Sequence, residues 1–411
     1  MGDLELELYP GCKQFSKLSS LLKLFHIKCL GGISDKSLSM ILDLFKEALP
    51  EGNTLPKSFY DAQKMIKSLS LESIKIDACP NNCMLLWKDH ANADECVKCH
   101  ASRWKIDERN NESSTSQCKP RRTPRKTMRY FPLIPRLQRM YMSSKTAASM
   151  RWHSDECVDD PDGIMRHPAD SKAWKFFDEK YPSFASEPRN VRLGLASDGF
   201  SPFRNGHIAH STWPVVLIPY NLPPWLCMKQ HSFILSMLIP GPKGPKDKID
   251  VYLQPLIEEL KLLWEVGVVT HDASKKENFK MHASLLWTRS DYPAYGDLSG
   301  WKTGEVVGCP SCNSDTSSEW LPNGNKQCYM CHRRFLPLDH KWRYDGRTFD
   351  GKQELRPAPR PLSDEEVLQQ IDAEQAECNK KKRKRDKKKT KQKKLWRKKS
   401  IFFNCHIGVV F

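Results

Sequence analysis

Two groups of closely spaced cysteines have the spacing of metal ligands. The first combines a Cys-x3-Cys pair with a Cys-x2-Cys pair and consists of Cys79, Cys83, Cys96 and Cys99. Two such pairs can fold as knuckles that converge on one tetrahedral Zn²⁺, a metal that binds thiolates strongly. Four protein ligands leave no open coordination position, so the pattern predicts a structural zinc site. His90 and His100 lie nearby, and a site of three cysteines and one histidine stays open.

The second group leaves the choice of one ligand open. Cys309 and Cys312 form its first pair, and Cys328 is followed by both Cys331 and His332. The spacing favours a four-cysteine site that includes Cys331, whereas a site of three cysteines and one histidine would use His332. Either set predicts a second structural zinc ion.

A pair of aspartates could hold a different kind of metal. Asp198 follows a short apolar run and precedes Gly199, and Asp291 follows another apolar run. Carboxylate oxygens are ligands for Mg²⁺ or Mn²⁺, and two such ions about 3.5–4 Å apart stabilise both the attacking and the leaving oxygen of a phosphodiester. An Asp-Gly pair after a strand is also a common turn, so a purely structural turn is the competing interpretation.

The elements that must position these aspartates follow from apolar periodicity. Residues 191–196, 212–220, 231–239 and 281–288 have the pattern of strands, and residues 251–266 carry a helical stripe. The order β-β-β-α-β, with an aspartate after the first strand and another after the fourth, is that of an incomplete RNase H-like core. The predicted fold class is α/β, with an N-terminal helical region and two zinc-ribbon-like modules beside this core.

A chain of 411 residues is long enough for several units. Composition and motifs predict a helical region at 1–75, a four-cysteine zinc module at 76–106, a linker at 107–127, a helical or irregular connector at 128–189, a partial RNase H-like catalytic core at 190–300, a zinc-binding insertion at 301–345, a Pro-rich and acidic linker at 346–379, and a basic tail with an aberrant C-terminus at 380–411.

Most of the excess positive charge lies in that tail. The chain has 66 Lys and Arg against 49 Asp and Glu, a net charge of +17, and residues 380–399 alone contribute +14. Such a run is commonly only a solvated segment, but it can also bind phosphates or direct a protein to the nucleus. We therefore expect nuclear localisation and DNA contacts from Lys380, Lys381, Lys382, Arg383, Lys384 and Arg385.

Membrane insertion and secretion are not expected. No run reaches the roughly 20 apolar residues that a membrane-spanning helix needs, and the acidic start does not have the pattern of a signal peptide. Pairs of cysteines two or three residues apart also favour metal binding in an intracellular protein over disulfides.

Several longer blocks of the sequence are distinctive. They include Leu-Tyr-Pro-Gly-Cys at 8–12, Tyr-Phe-Pro-Leu-Ile-Pro at 130–135, Met-Arg-Trp-His at 150–153, Arg-His-Pro-Ala-Asp at 166–170, and the segments 190–199 and 213–229. In these blocks the chain resembles one family, the transposases of plant CACTA (En/Spm-type) DNA transposons. The resemblance extends over nearly the whole chain to about residue 403.

This resemblance implies cut-and-paste DNA transposition by an RNase H-like domain with an Asp-Asp-Glu metal site. Asp198 matches the first acid and Asp291 the second, and in the second cysteine group the family pattern favours Cys328 and His332. Its partners would be the terminal and subterminal repeats of the transposon, with a second copy or a full-length transposase as a protein partner. The family's catalytic Glu lies beyond the point where residues 404–411 depart from the pattern, so we expect a truncated transposase without nuclease activity.

Two other hypotheses remain at the level of the sequence. One is a non-enzymatic, zinc-dependent DNA-binding protein, either a transposition repressor or a domesticated host factor. The other is a pseudogene product without a function. Both are consistent with the missing Glu region, and metal-dependent cleavage of DNA would separate the first hypothesis from a working enzyme.

Overall fold

The structure is a computed structural model that describes residues 6–68, 73–105, 122–156, 164–203, 210–303, 306–383 and 394–404, with side chains omitted at 67–68, 377–383 and 404. The chain divides into two compact units, Met1–Glu72 and Ser73–Phe411. No helix in these ranges is both long enough and apolar enough to cross a membrane.

The first unit is helical. Its helices are α1 (Lys17–Gly31), α2 (Asp35–Ala48) and α3 (Phe59–Ser68). The side chains of Ser16 and Ser34 accept hydrogen bonds from backbone N–H groups of the first turns, so each caps the start of its helix. Leu21, Leu38 and Leu42 are fully buried and form the centre of a small apolar core.

The second unit is a mixed α/β structure, which confirms the predicted class. Its strands are β1 (Ile74–Ala78), β2 (Leu85–Leu86), β3 (Thr127–Tyr130), β4 (Val191–Ser197), β5 (Trp213–Pro219), β6 (Ile234–Ile239), β7 (Val268–Asp272), β8 (Glu277–Met281), β9 (Ala283–Arg289), β10 (Ser318–Leu321) and β11 (Lys326–Tyr329). Its helices are α4 (Leu133–Tyr141), α5 (Ser144–Ser149), α6 (Trp152–Asp155), α7 (Lys172–Lys180), α8 (Pro182–Ala185), α9 (Pro224–Cys227), α10 (Ile249–Glu265), α11 (Tyr292–Ser299), α12 (Lys341–Tyr344) and α13 (Asp364–Arg383). Short 3-10 turns occur at Lys88–His90, Pro168–Asp170, Gln230–Ser232, Lys246–Lys248, Asn313–Asp315, His332–Phe335 and Ile401–Asn404.

The main sheet has the strand order β2-β1-β3-β6-β5-β4-β9. Strand β4 pairs antiparallel with β5 and parallel with β9, and β5 pairs antiparallel with β6. Helix α10 packs on this sheet through Leu253, Leu256 and Leu260, which are fully buried in the main core with the sheet residues Leu193 and Leu285. These elements occur in the order that the apolar periodicity predicts.

A hairpin lies between α10 and β9 that the periodicity did not predict. Strands β7 and β8 pair only with each other, in a separate two-stranded sheet. The turn between them is held by the buried carboxylate of Asp272, whose Oδ1 accepts hydrogen bonds from the N–H groups of Ser274 (2.9 Å) and Lys275 (3.2 Å). Residue 281, which we placed at the start of the fourth predicted strand, is the last residue of β8.

The sheet is also wider than the predicted core at 190–300. Strands β1 and β2 come from the range predicted as a zinc module, and β3 from the range predicted as linker and connector. Strand β3 joins them to the core, because it pairs with β1 on one side and with β6 on the other. Four residues are too few for a period-two pattern to be recognised, which explains why β3 was missed.

The described end of the predicted basic tail is packed rather than solvated. Leu395, Trp396 and Phe402 are buried, and the rings of Trp396 and Trp301 form an edge-to-face pair with centroids 5.0 Å apart. Lys398 Nζ lies 2.6 Å from Asp250 Oδ1 in a largely buried ion pair. Residues 394–399 are therefore not simply a solvated segment, because apolar side chains anchor this part of the run.

Candidate metal centres

The first cysteine group is assembled as the spacing predicts. The Sγ atoms of Cys79, Cys83, Cys96 and Cys99 all lie within 4.8 Å of one another. The first pair spans the turn between β1 and β2, where the N–H of Cys79 donates to Met84 O (3.0 Å). The second pair spans a similar turn, where the N–H of Cys96 donates to Ala101 O (3.0 Å). This is the arrangement of two knuckles that can hold one tetrahedral zinc ion.

The surroundings of the four sulfurs favour the thiolate form of Cys99 and disfavour that of Cys83. Hydrogen bonds from the backbone of Ala101 and the side chain of Asn81 lower the pKa of Cys99 to about 6. Burial, with the neighbouring thiols of Cys99 and Cys79, raises the pKa of Cys83 to about 12. Four thiolates this close repel one another, so a divalent cation is the natural way to stabilise them together.

The rest of the cysteine module gives it little apolar stability of its own. Its buried core consists of Cys79, Met84, Leu86 and Cys96, so half of it is metal-ligand side chains. Arg103 ties the second knuckle to β1: its guanidinium lies 2.6 Å from an Asp77 oxygen and donates to Ala91 O (2.7 Å). His90 and His100 are both exposed, and His100 contacts Glu95 at 3.5 Å, so neither replaces a cysteine in the group.

The second cysteine group is not assembled in the same way. Over the described ranges, no three of its cysteine and histidine ligand atoms lie within one metal-binding cluster. Cys309 and Cys312 contact each other, and burial with this contact raises the pKa of Cys312 to about 11. Cys331 instead contacts the ion pair of Glu354 and Arg356. Zinc at Cys309, Cys312, Cys328 and either Cys331 or His332 therefore stays a prediction.

Arginine side chains hold the segment after this second group in place. The Arg343 guanidinium, which is fully buried, donates to the carbonyl oxygens of Arg334 (2.9 Å), Leu336 (3.0 Å) and Arg356 (2.6 Å). Buried carbonyl groups are costly without a donor, so this one side chain stabilises three turns of irregular backbone. The sequence offers little signal for such a role, since these arginines look like ordinary surface residues.

The two aspartates end neighbouring parallel strands. The last paired residues of β4 and β9 are Ala196 and Arg289, and each aspartate lies two residues further along its own strand. Asp198 and Asp291 thus occupy equivalent positions at one edge of the sheet, where adjacent strands are about 4.8 Å apart. Both residues are exposed. Over the described residues they do not form a cluster with a third acidic, histidine or cysteine ligand.

Local hydrogen bonds orient both carboxylates. Asp198 Oδ1 accepts from the N–H of Gly199 (2.6 Å), and Asp291 Oδ1 accepts from the N–H of Ala294 (2.9 Å), where it caps α11. A side chain at Gly199 would collide with Ser211 and Trp213, so glycine is required by the close approach of β5. The turn interpretation and the metal interpretation are compatible here, because each carboxylate keeps a second oxygen for a cation.

The sequence reasoning missed the side chains that share this sheet edge. Trp287 and Arg289 precede Asp291 at intervals of two residues, the period that places strand residues on one face. That period was the signal in the sequence that could have identified them.

The tail residues that we predicted to bind phosphate lie outside what the structure describes. Side chains are omitted at Lys380, Lys381, Lys382 and Arg383, and the described ranges do not include Lys384 and Arg385.

Comparison with known families gives one match. The family model described as "Transposase family tnp2" matches residues 162–374, just over half of the chain. The matched range contains both aspartates and the second cysteine group, and it begins after the first cysteine group. No curated protein matches the chain.

Proposed function

The chain belongs to the transposase family tnp2, and we propose that its DNA chemistry is metal-dependent strand cleavage and transfer at the sheet edge that carries Asp198 and Asp291. The observation that carries this proposal is the parallel pairing of β4 with β9, which gives the two aspartates equivalent positions. The sequence resemblance extends the proposal to a CACTA (En/Spm-type) element of a plant, with terminal and subterminal repeats as the DNA targets.

The order of the central strands supports an RNase H-like core. Strands β6, β5 and β4 form an antiparallel meander, and β9 lies beside β4 in parallel after the connection through α10. A parallel pair needs such a crossover, and the carboxyl ends of the paired strands then meet at one edge. The core is thus built from the predicted elements, with the β7–β8 hairpin inserted before its last strand.

The type of ligand at this edge suits Mg²⁺ or Mn²⁺. Asp198 and Asp291 would each offer a carboxylate oxygen, the ligand that these cations prefer. When bound, such ions stabilise the attacking and leaving oxygens of a phosphodiester. The chain's own contribution is to orient the two carboxylates through the Gly199 and Ala294 N–H groups.

Zinc would have a structural role in the same protein. The four-cysteine cluster, which lies next to β1 and β2, would hold one Zn²⁺ and keep two knuckles together. A second Zn²⁺ at Cys309, Cys312, Cys328 and His332 is a further part of the proposal. Nuclear localisation and non-specific phosphate contacts through residues 380–385 complete it.

A non-enzymatic DNA-binding protein is the alternative function. It is favoured by one observation: over the described residues, no third ligand joins Asp198 and Asp291. Metal ions held by two carboxylates alone are bound weakly and placed imprecisely. Such a protein would act as a transposition repressor or a domesticated host factor, alone or with a second copy or a full-length transposase.

A cleavage assay separates the two functions. Purified chain is incubated with a labelled duplex that carries a terminal inverted repeat, with Mg²⁺ or Mn²⁺ and then with EDTA. The proposal expects metal-dependent strand cleavage, contrary to the expectation from the sequence that nuclease activity is lost. Both Asp198→Asn and Asp291→Asn should abolish this cleavage, while the exposed Asp339→Asn keeps it. Cleavage that survives both substitutions would refute the assignment. Specific binding without any cleavage would instead support the DNA-binding alternative.

A further inference from the structure

A groove lies at the C-terminal end of β9 on the second unit. It consists of two adjoining cavities of 440 and 630 Å³, which share Arg166, His167, Pro168, Trp287 and Arg289. Cavities of this size hold a nucleotide-sized group, whereas a duplex is too wide to enter them. The groove is lined by both aromatic and cationic side chains, which is unusual for a purely structural cleft.

The register of the sheet aligns this groove with the acidic edge. Trp287 lies beside Gly194 and Arg289 beside Ala196 in the parallel pair of β9 and β4. Continuing each strand by two residues leads from Arg289 to Asp291 and from Ala196 to Asp198. Since strand residues two apart share a face, Trp287 and Arg289 lie on the same side of the sheet, and the two aspartates follow just beyond the ends of β4 and β9.

The wall of the groove is held rigidly. The rings of Trp287 and Tyr220 lie 5.2 Å apart at 35°, and Trp287 Nε1 donates to the Tyr220 hydroxyl (3.1 Å). Gly194 allows this arrangement, because the Tyr220 ring occupies the space that a Cβ would need. Tyr220 is buried whereas Trp287 is only half-buried, so the tryptophan remains available to a ligand.

One cation of the groove has no acidic partner. Arg289 is exposed, and no carboxylate in the described part of the chain pairs with it. His167 does not add a charge, because burial lowers its pKa and both ring nitrogens are already used, by Leu222 O (3.1 Å) and the N–H of Ala169 (3.1 Å). A cationic and aromatic groove of this kind fits an anionic ligand with flat rings.

We propose that this groove binds the single DNA strand that continues from the phosphate at the two aspartates. Arg289 and Arg166 contact its backbone, and Trp287 stacks on an unpaired base. Stacking on an aromatic side chain requires an exposed base face, which a single strand offers and an intact duplex does not. This inference rests on the proposed DNA chemistry, and it names the form of the substrate and the residues that guide it.

The test is a binding measurement without added divalent metal, so that cleavage plays no part. Fluorescence anisotropy compares a blunt duplex with the same duplex carrying a ten-nucleotide single-stranded tail, about the length that one such groove and its surroundings cover. The wild-type chain is expected to prefer the tailed DNA. In Arg289→Ala this preference is expected to fall about tenfold, as for loss of a charge-assisted phosphate contact. The slope of the binding constant for tailed DNA against salt concentration should also become shallower by roughly 0.7 log unit per log unit of salt.

Arg129→Ala is the matched control, because Arg129 is an exposed arginine of the same sheet, on β3, that does not line the groove. The control is expected to keep the preference for tailed DNA. A tail containing 4-thiothymidine adds a measurement that needs no variant, since irradiation should cross-link it to the peptide that contains Trp287. Equal losses in both variants, equal losses on blunt and tailed DNA, or cross-links confined to other peptides would each overturn the proposal.

These outcomes separate this inference from the proposed function. If the chain never cleaves DNA, but Arg289→Ala abolishes its preference for tailed DNA, the groove proposal stands and the proposed nuclease function fails. If the chain cleaves DNA through Asp198 and Asp291, but Arg289→Ala leaves tail binding unchanged, the nuclease function stands and the groove proposal fails.

Discussion

Loss of one buried cysteine should unfold the four-cysteine module without unfolding the sheet core. Cys96 is fully buried, and its Sγ belongs to the cluster that would hold zinc. Cys96→Ser removes one of the thiolates and introduces a hydroxyl at a fully buried site. The exposed Cys29→Ser, in α1, is the matched control because it makes the same chemical change away from the cluster.

The size of the effect follows from how little else holds the module. Apart from the cysteines, its buried core contains only Met84 and Leu86. At a free zinc concentration about 1,000 times the dissociation constant, a bound ion contributes about 4 kcal/mol, and this contribution is lost with the site. A buried hydroxyl without a partner costs a further ~1–3 kcal/mol. A core of this size cannot offset such a loss.

Hydrogen exchange and zinc content measure this prediction together. Wild-type protein is expected to contain zinc and to protect the amides of residues 79–103, and Cys96→Ser to lose both. Strands β4, β5 and β9 should keep their protection, because Leu85 is the one residue of 79–103 that is buried in their large core with α10. Unchanged protection of residues 79–103 after removal of zinc from the wild type, or in Cys96→Ser, would refute the reasoning.

Other substitutions test the packing that positions β4 and the C-terminal segment. Asp178→Asn should lower the free energy of unfolding by about 3 kcal/mol, because the buried Arg192 guanidinium, which lies 2.6 Å from Asp178 Oδ1, loses its carboxylate partner. A loss below about 1 kcal/mol in chemical denaturation would contradict this prediction. Burial and the charge of Arg192 lower the pKa of His153 from its ordinary 6.5 to about 3. The folded protein therefore favours the neutral ring, and the stability that this ring contributes is complete above pH 6.5 and falls as the pH drops toward 3. His153→Gln should flatten that decline in pH-dependent unfolding, whereas the exposed His271→Gln should leave it unchanged. Trp396→Ala should cost about 3–5 kcal/mol, because the ring is buried against Trp301; thermal unfolding that matches the wild type would show that the 394–404 segment is not anchored there.

Features that depend on neighbouring residues could be predicted from the sequence. The cysteine spacing identified a cluster that the structure assembles, since each knuckle is closed by hydrogen bonds within a few residues. Apolar periodicity placed β4, β5, β6, α10 and β9 in the right order. The long motif blocks led to a transposase family that the family match supports.

Distant partners add what a local pattern does not show. The spacing of the second cysteine group resembles that of the first, but its zinc site stays a prediction, and Cys331 contacts Glu354 and Arg356. The basic run was expected to be solvated, but Trp396 and Lys398 find buried partners at Trp301 and Asp250. In both cases the competing contacts come from residues that the local pattern does not include.

The sequence by itself determined which residues can do chemistry: the cysteine pairs and the two aspartates that follow apolar strands. Only the tertiary structure decided which of them meet. The parallel pairing of β4 with β9 gives Asp198 and Asp291 equivalent positions and turns Trp287 and Arg289 into the wall of a groove. That pairing joins residues about 90 positions apart in the chain, and such long-range packing leaves no signal in the spacing of neighbouring residues.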